Sequence, residues 1–580
     1  MKRLRLILGI LLLILLLVAI GGALFVNDLT RGMLPQLDGE ARLPGLSAEV
    51  TVKRDAWGVP HIYASSASDL FAAQGYIQAQ DRWWQMEFAR ATGDGRLQEL
   101  TGKNADLMGS DVFIRTIGWR RAAERDLRET YDAETLAMLE AFTSGVNAYI
   151  SGKSGGDLAL EYGVLGLTGV NIPVKPWTVG DTVVWQKVMA WDLSDKLADR
   201  TRQQMVDDLG VDAQRAYEPP YPYDSKPTIL QAADLPPMQP SLLGATALGV
   251  PAQTVAATGE TSLTFAGGML PGAAFAFGQG EGIGSNNWVV SGALSETGMP
   301  LLANDPHLGI QLPSVWYEVG LHCRPVSAAC PYDVQGFAFA PFPGVVIGHN
   351  DRIAWGFTNV GPDVMDLYRI KVNPQDDLQY EWDSQWRDMT AFTEKIYFGD
   401  APDPVTIIVR ETHLGPIITD NALNADGLPM GVNNENPLAL RWSALDPSQV
   451  LRALLLLNRA QNWDDFREAL SYFDAPSQNI IYADVDGNIG YQTPGLIPVR
   501  AASNSGLLLL DGTAPSDEWR GYIPYDLLPR VYNPESGFIH SANQALVPLE
   551  YYDWLKSQLS EQFGEDINPM IGQDWDYGYR

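Results

Sequence analysis

Ser285 stands between Gly284 and a strand-like run, Asn286-Asn287-Trp288-Val289-Val290, at the end of a stretch of small residues. A serine inside a chain is a weak nucleophile unless a base within hydrogen-bond reach takes its proton, and one solution is for the serine to become an N-terminus whose own amine is the base. An α-amine titrates near ~7.7–8.0, far closer to neutrality than a lysine. A cut between Gly284 and Ser285 would therefore create nucleophile and base together. Left uncut, Ser285 is an ordinary strand residue and residues 225 to 284 an ordinary interdomain linker.

The elements that must position this serine fall on both sides of it. From Ser47 to about Asp224 the pattern is mostly helical after a strand-like VTVKRD. Ser68 is expected to cap a helix carrying Phe71, Tyr76, Trp83, Trp84 and Phe88. Asp132 is expected to cap another with Leu136, Leu139, Phe142, Val146 and Ile150 at three-to-four spacing, and Thr178 with Asp181 three residues on forms a capping box for a third. Residues 225 to 284 are rich in Gly, Ala, Pro, Ser and Thr without an apolar period, which reads as an exposed linker. After Ser285 the pattern turns to strands: NNWVVS, PLLAND, and VVIG with IAWGF around His349-Asn350-Asp351-Arg352 as a hairpin. One long helix is expected over Gln449 to Phe473, then a hairpin turning at Asp486-Gly487. DVDGN lacks the full twelve-residue calcium-loop pattern and reads as that turn.

Composition narrows the function. A chain of 580 residues with 46% hydrophobic content can bury a large core. Its 40 basic and 70 acidic residues give a net charge of −30, without the basic footprint that nucleic-acid binding requires. Lys2, Arg3 and Arg5 precede an uncharged apolar run from Leu6 to Val26, so residues 1 to 27 read as a membrane anchor or signal segment with an exported remainder. Cys323 and Cys330, seven apart, read either as a local disulfide of an exported chain or as two buried thiols. Gly152-Lys153-Ser154 ends like a phosphate loop, but position 147 is Asn where that loop needs Gly. The six histidines show no HExxH-type spacing, which disfavours a metallohydrolase.

GSNNWVVSG followed by PLLANDPHL resembles the penicillin acylase family of N-terminal-nucleophile hydrolases, which includes β-lactam acylases and acyl-homoserine lactone acylases. Similar segments follow in the family's order: RDAWGVPHIYA (54 to 64), GYIQAQDRWWQME (75 to 87), LEYGVLG (160 to 166), HNDRIAWGFTNVGPDVMDLY (349 to 368), APSQNIIYADVDGNIGY (475 to 491) and VYNPESGFIHSANQ (531 to 544). The likeness spans roughly residues 40 to 580.

The resemblance implies an α+β fold with a four-layer αββα core. It divides the chain into an α-chain region (28 to 255), an excised spacer (256 to 284) and a β-chain region from Ser285 to 580, the two chains staying together after processing. It implies self-cleavage between Gly284 and Ser285. The oxyanion donors would be the Val360 N–H, with Asn359 the next candidate, and the Asn543 side chain. His307, 22 residues after Ser285 (307 − 285), would orient the serine, and Arg580 would hold the oxyanion asparagine and the amine. Leu308, Ile347 and Phe357 would line an apolar acyl pocket. A structural Ca2+ would be held by Asp363, the Met365 carbonyl, Asp366 and Glu161, with Asp553 a further ligand; no organic cofactor is implied. Family β chains continue past the segment ending here, so the chain looks C-terminally incomplete. The expected activity is hydrolysis of a small N-acyl amide, of β-lactam or N-acyl homoserine lactone type, in the periplasm or at the outer face of the inner membrane. The alternative is an unprocessed, non-catalytic envelope binding protein of the same fold.

Overall fold

The computed structural model describes residues 2–31, 33–167, 169–194, 197–236, 284–399, 401–424, 427–572 and 575. The expected spacer therefore lies outside the described residues except for Gly284, and so does Arg580.

The N-terminal part is helical where the caps predict. Asp132 accepts from the Thr135 N–H at 2.7 Å and starts the helix Ala133–Ile150. Thr178 and Asp181 close a reciprocal capping box at the head of Val179–Asp192. The helix Ala67–Gly93 begins two residues earlier than expected, because Ser66 and not Ser68 accepts the Asp69 N–H. The long helix expected over Gln449 to Phe473 is two, Val450–Leu457 and Trp463–Leu470. Between them the Asn458 amide bonds both the N–H and the carbonyl of Val345, and Asn462 caps the second helix. Side-chain amides that bond backbone elsewhere compete with helix continuation.

Nine strands form the main sheet, in the order Thr51–Arg54, Pro60–Ala64, Trp316–Cys323, Asp333–Phe339, Ile347–Asn350, Ile353–Asn359, Gln478–Asp484, Ile489–Gln492 and Arg530–Tyr532. Neighbours are antiparallel except Pro60–Ala64, which runs parallel to Trp316–Cys323. The helical N-terminal region thus donates two edge strands to a sheet built mostly from residues after Ser285. The expected hairpin turns are present, with Gly348 opposite Trp355 and, at Asp486-Gly487, Ala483 opposite Ile489.

Gln478–Asp484 is buried along its whole length, so both faces of the sheet are covered there. Ile480 and Tyr482 face a core that includes the helix residues Leu70, Phe71, Phe142 and Leu454. Ile481 and Ala483, pointing the other way, join a second core with Val289, Ile539, Tyr551 and Leu555. That second core lies against a three-stranded antiparallel sheet, Phe538–Ser541, Gly284–Val290 and Leu301–His307 in that order. The fold class is α+β, as expected. Cys323 and Cys330 form a disulfide.

Lys2–Arg31 forms a 30-residue helix. Its side chains from Gly9 to Gly22 are exposed. Among the described residues no helix is long and apolar enough to cross a membrane. The expected span over residues 6 to 26 is therefore not supported by the helix as described.

Candidate active site

Ser285 is the second residue of the middle strand of the small sheet, and its burial follows from strand alternation. Ser285, Asn287 and Val289 are buried, whereas Asn286, Trp288 and Val290 are not. Ser285 is 5% exposed. Residues directly opposite in an antiparallel pair share a face, so Pro306, Asn304 and Leu302 of Leu301–His307 lie on the inner face with them.

Three asparagines on and opposite this face tie the small sheet to the main one. Asn304 accepts from the Phe357 N–H at 2.8 Å and donates to the Phe357 carbonyl at 2.8 Å. Asn287 donates to the Asn479 carbonyl at 3.3 Å. Asn479 donates to the Asn359 carbonyl at 3.2 Å and accepts from the Tyr491 hydroxyl at 2.6 Å. Gly356 permits the approach: a Cβ there would lie 2.8 Å from Asn304 Cβ. Asparagine is disfavoured in strands, and its recurrence in SNNW, LLAND and SQNII is the sequence signal that marks this network.

On the other side of the serine, the register of Phe538–Ser541 pairs Ser541 with Asn287, so two residues further Asn543 lies opposite Ser285. Regular pairing has stopped by then, because Asn543 takes a left-handed φ of 64°. Asn tolerates that region better than most residues. Its Oδ1 accepts the Ser285 backbone N–H at 2.9 Å, and its Nδ2 donates to the Asn359 carbonyl at 2.9 Å. The next peptide N–H, that of Val360, makes a long 3.4 Å contact with the Ser477 carbonyl. The structure thus joins Ser285, Asn543 and the Asn359–Val360 peptide in one hydrogen-bonded group.

Ser285 also lines a cavity of about 640 Å3, including open space at its mouth. The three expected pocket residues, Leu308, Ile347 and Phe357, all line it, together with Trp316, Phe339 and Phe473. Sequence reasoning missed these last aromatics and also Gln186, whose Nε2 donates to Asp126 Oδ2 at 2.7 Å. Asp126 in turn pairs with Lys187 at 2.7 Å, both buried. Burial raises the Asp126 carboxyl and lowers the Lys187 amine, each partly offset by the other. Beside the cavity, burial pushes Asp474 up to about 6, against the Gln449 N–H and Lys187, which lower it. A mostly apolar cavity with few polar groups suits an apolar ligand group.

His307 is not turned toward Ser285. It sits opposite Gly284, on the face away from the serine, and its Nδ1 contacts the Asp305 carbonyl at 3.1 Å and carboxylate at 3.3 Å. The period-two alternation of the strand is the reason. If the enzyme works in this arrangement, His307→Ala changes kcat/KM by less than about threefold in a direct hydrolysis assay, well under the 10²–10⁴-fold typical of a lost acid–base group. A loss above a hundredfold would show that the imidazole swings round to the serine.

The expected calcium ligands are not gathered as a metal site. Glu161 lies on the helix Leu160–Leu167 and lines a separate cleft with Trp84, Phe88 and Pro313. Asp553 lies on the helix Glu550–Phe563. Asp363, Asp366 and the Met365 carbonyl converge, but on the guanidinium of Arg500. Among the described residues no group of three or more His, Cys, Asp or Glu is placed to hold a metal ion. One buried acceptor there, Asp366 Oδ1, has no hydrogen-bond partner; a single oxygen beside a bound cation does not amount to a site for Ca2+, which takes 6–8 oxygens.

Fold and site together define a chain whose buried strand serine is presented, by its own backbone nitrogen, to an asparagine amide at the edge of an apolar pocket. A family model described as penicillin amidase matches residues 49–580, and the chain belongs to that family. It is 28% identical over 551 residues to the penicillin acylase 2 proenzyme of Pseudomonas sp. (strain SE83), covering 91% of this chain and 63% of that one. It is 29% identical to the acyl-homoserine lactone acylase QuiP of Pseudomonas aeruginosa, with 91% and 58% covered, and 27% identical to the penicillin G acylase of Escherichia coli, with 90% and 62% covered. The chain therefore spans about three fifths of the length of these relatives. A solved thermostable penicillin G acylase from Alcaligenes faecalis superposes with a TM-score of 0.40 at 30% identity, over 45% of this chain and 44% of that one.

Proposed function

We propose that this chain is a self-processing amidohydrolase that cuts itself between Gly284 and Ser285 and then hydrolyses small N-acyl amides through an acyl-enzyme on Ser285. The observation that carries the reading is the 2.9 Å bond from the Ser285 nitrogen to Asn543 Oδ1. Once Gly284 is released, the same acceptor would hold the new α-amine beside the serine hydroxyl whose proton it must take. The hydroxyl attacks the substrate carbonyl, its proton passing to the amine directly or through a water. The Val360 N–H and the Asn543 side-chain amide would be the donors for the oxyanion. The amine product leaves with that proton, and water releases the acid.

The two products of the cut would stay together. Thr51–Arg54 and Pro60–Ala64 are strands of a sheet whose other seven strands follow Ser285, and helix residues before the cut share a core with strand residues after it. On this reading the second core, which the helix Glu550–Phe563 joins, belongs to a four-layer αββα arrangement. The Cys323–Cys330 disulfide supports an extracytoplasmic location, where such bonds persist.

An apolar cavity implies an apolar acyl group, and the amine half would be one of the two types among the family's named members, a homoserine lactone or a β-lactam nucleus. The test is a series of N-acyl homoserine lactones of increasing chain length, with penicillin G alongside, followed by release of free homoserine lactone or of the β-lactam nucleus. Each added methylene that the cavity buries is expected to raise kcat/KM roughly fourfold, from ~0.8 kcal/mol per CH2. Release of one amine and not the other assigns the leaving group, whereas a rate independent of chain length, or no release from either substrate type, would overturn the reading.

A further inference from the structure

Arg500 holds together the groups that a divalent cation would be expected to bridge. It lies in the strand Pro498–Ala501 and is 1% exposed. Its Nε donates to Asp366 Oδ2 at 2.8 Å. One terminal nitrogen donates to Asp363 Oδ1 at 2.8 Å, to the Asp363 carbonyl at 3.1 Å and to the Met365 carbonyl at 3.4 Å. Asp366 Oδ2 also accepts from Trp519 Nε1, and from Asn504 Nδ2 at 3.5 Å. Gly506 closes the cluster from one side: with φ at +75° it leaves room for Asp363, whose Oδ2 would lie 1.9 Å from a Cβ there. The negative charge of Asp199, on the helix Ala198–Leu209 before Ser285, acts on the same guanidinium.

We propose that Arg500 replaces a metal ion in this chain, clamping the Asp363–Asp366 segment through a guanidinium so that the protein needs no calcium there. Three oxygens that could ligate the ion already accept hydrogen bonds from one planar cation, whose fork suits carboxylates and which is charged at all working pH values. A Ca2+ within its 2.3–2.6 Å bonding distance of the same oxygens would displace Arg500 or sit against its positive charge. The clamp has a functional position, since Asp363 is three residues beyond the oxyanion donor Val360. It also links strand Pro498–Ala501 to that donor's segment and, through charge, to the chain before the cut.

The test compares wild type with Arg500→Ala, using the metal alone as probe. Wild-type protein dialysed against EDTA should retain its thermal midpoint, and 1 mM Ca2+ should not raise it; a site with a Kd of about 10 µM would raise it by roughly 2 °C. Metal analysis of the undialysed protein should find no stoichiometric calcium. Arg500→Ala should melt roughly 2–4 °C lower, because the buried Asp366 and the half-buried Asp363 are left without their partner. It should recover part of the loss in Ca2+ and show Tb3+ luminescence sensitised by Trp519. Stoichiometric calcium in wild type, a fall of about 2 °C or more on EDTA treatment, or an unchanged midpoint in Arg500→Ala would each overturn the proposal. Should Arg500→Ala fail to fold, the chelator and metal measurements on wild type decide alone, and neither depends on whether the protein hydrolyses amides.

Discussion

Ser285→Ala is expected to leave the chain in one piece and to lower hydrolysis by about 10⁴-fold or more, the scale on which removing a nucleophile acts. Two functions are lost at one atom. On the proposed mechanism the hydroxyl attacks the Gly284 carbonyl during self-cleavage and later attacks substrate. Without cleavage the residue-285 nitrogen stays an amide and cannot act as a base. The fold should be indifferent to the change, because Ser285 is paired on both sides through backbone and faces a cavity rather than packed side chains. Gel analysis and a hydrolysis assay on the same sample read both effects; a variant still cut at Gly284, or still active, would remove Ser285 from the mechanism.

The second large effect is expected at Asn543. Asn543→Ala removes the acceptor that holds the Ser285 nitrogen and a donor aimed at the oxyanion, and it places alanine at φ 64°. The conformational part costs about 1–2 kcal/mol of stability, so Asn543→Gly, free of that strain, is the variant to measure. Losing one oxyanion donor typically lowers kcat by 10²–10³-fold, about 2.7–4 kcal/mol. We expect a loss of that size in the processed Asn543→Gly protein with KM little changed. Asn543→Asp separates the two roles: it keeps an oxygen for the Ser285 nitrogen but faces the Asn359 carbonyl with a second acceptor instead of a donor. Its kcat should fall as far as that of the glycine variant. A change of less than about threefold in both would mean that Asn543 serves the turn and not the reaction.

Much of the positioning framework is legible in the sequence, and what is not has physical reasons. Local signals carried well: Asp132 and Thr178 cap helices because their side chains need only the next turn. The strand at Ser285, its hairpin partner and the pocket residues Leu308, Ile347 and Phe357 are placed as expected. What failed depends on partners far along the chain. The break in the helix after Leu457 comes from Asn458 bonding Val345, over a hundred residues earlier. His307 stands at the expected spacing, but which face it occupies is set by the hairpin register, and a single residue of parity turns it away from the serine. Asp363 and Asp366 look like metal ligands until Arg500, with no local signal near them, is brought between them by the strand Pro498–Ala501.

The central claim is that the nucleophile is made by a cut, and N-terminal sequencing with intact mass of the purified protein tests it most directly. Processing at Gly284 should give a fragment beginning Ser-Asn-Asn-Trp that co-purifies with the preceding region and is absent from the Ser285→Ala preparation. A well-folded sample consisting of one uncut chain would contradict it, leaving Ser285 an internal residue without a base and the apolar cavity a binding pocket.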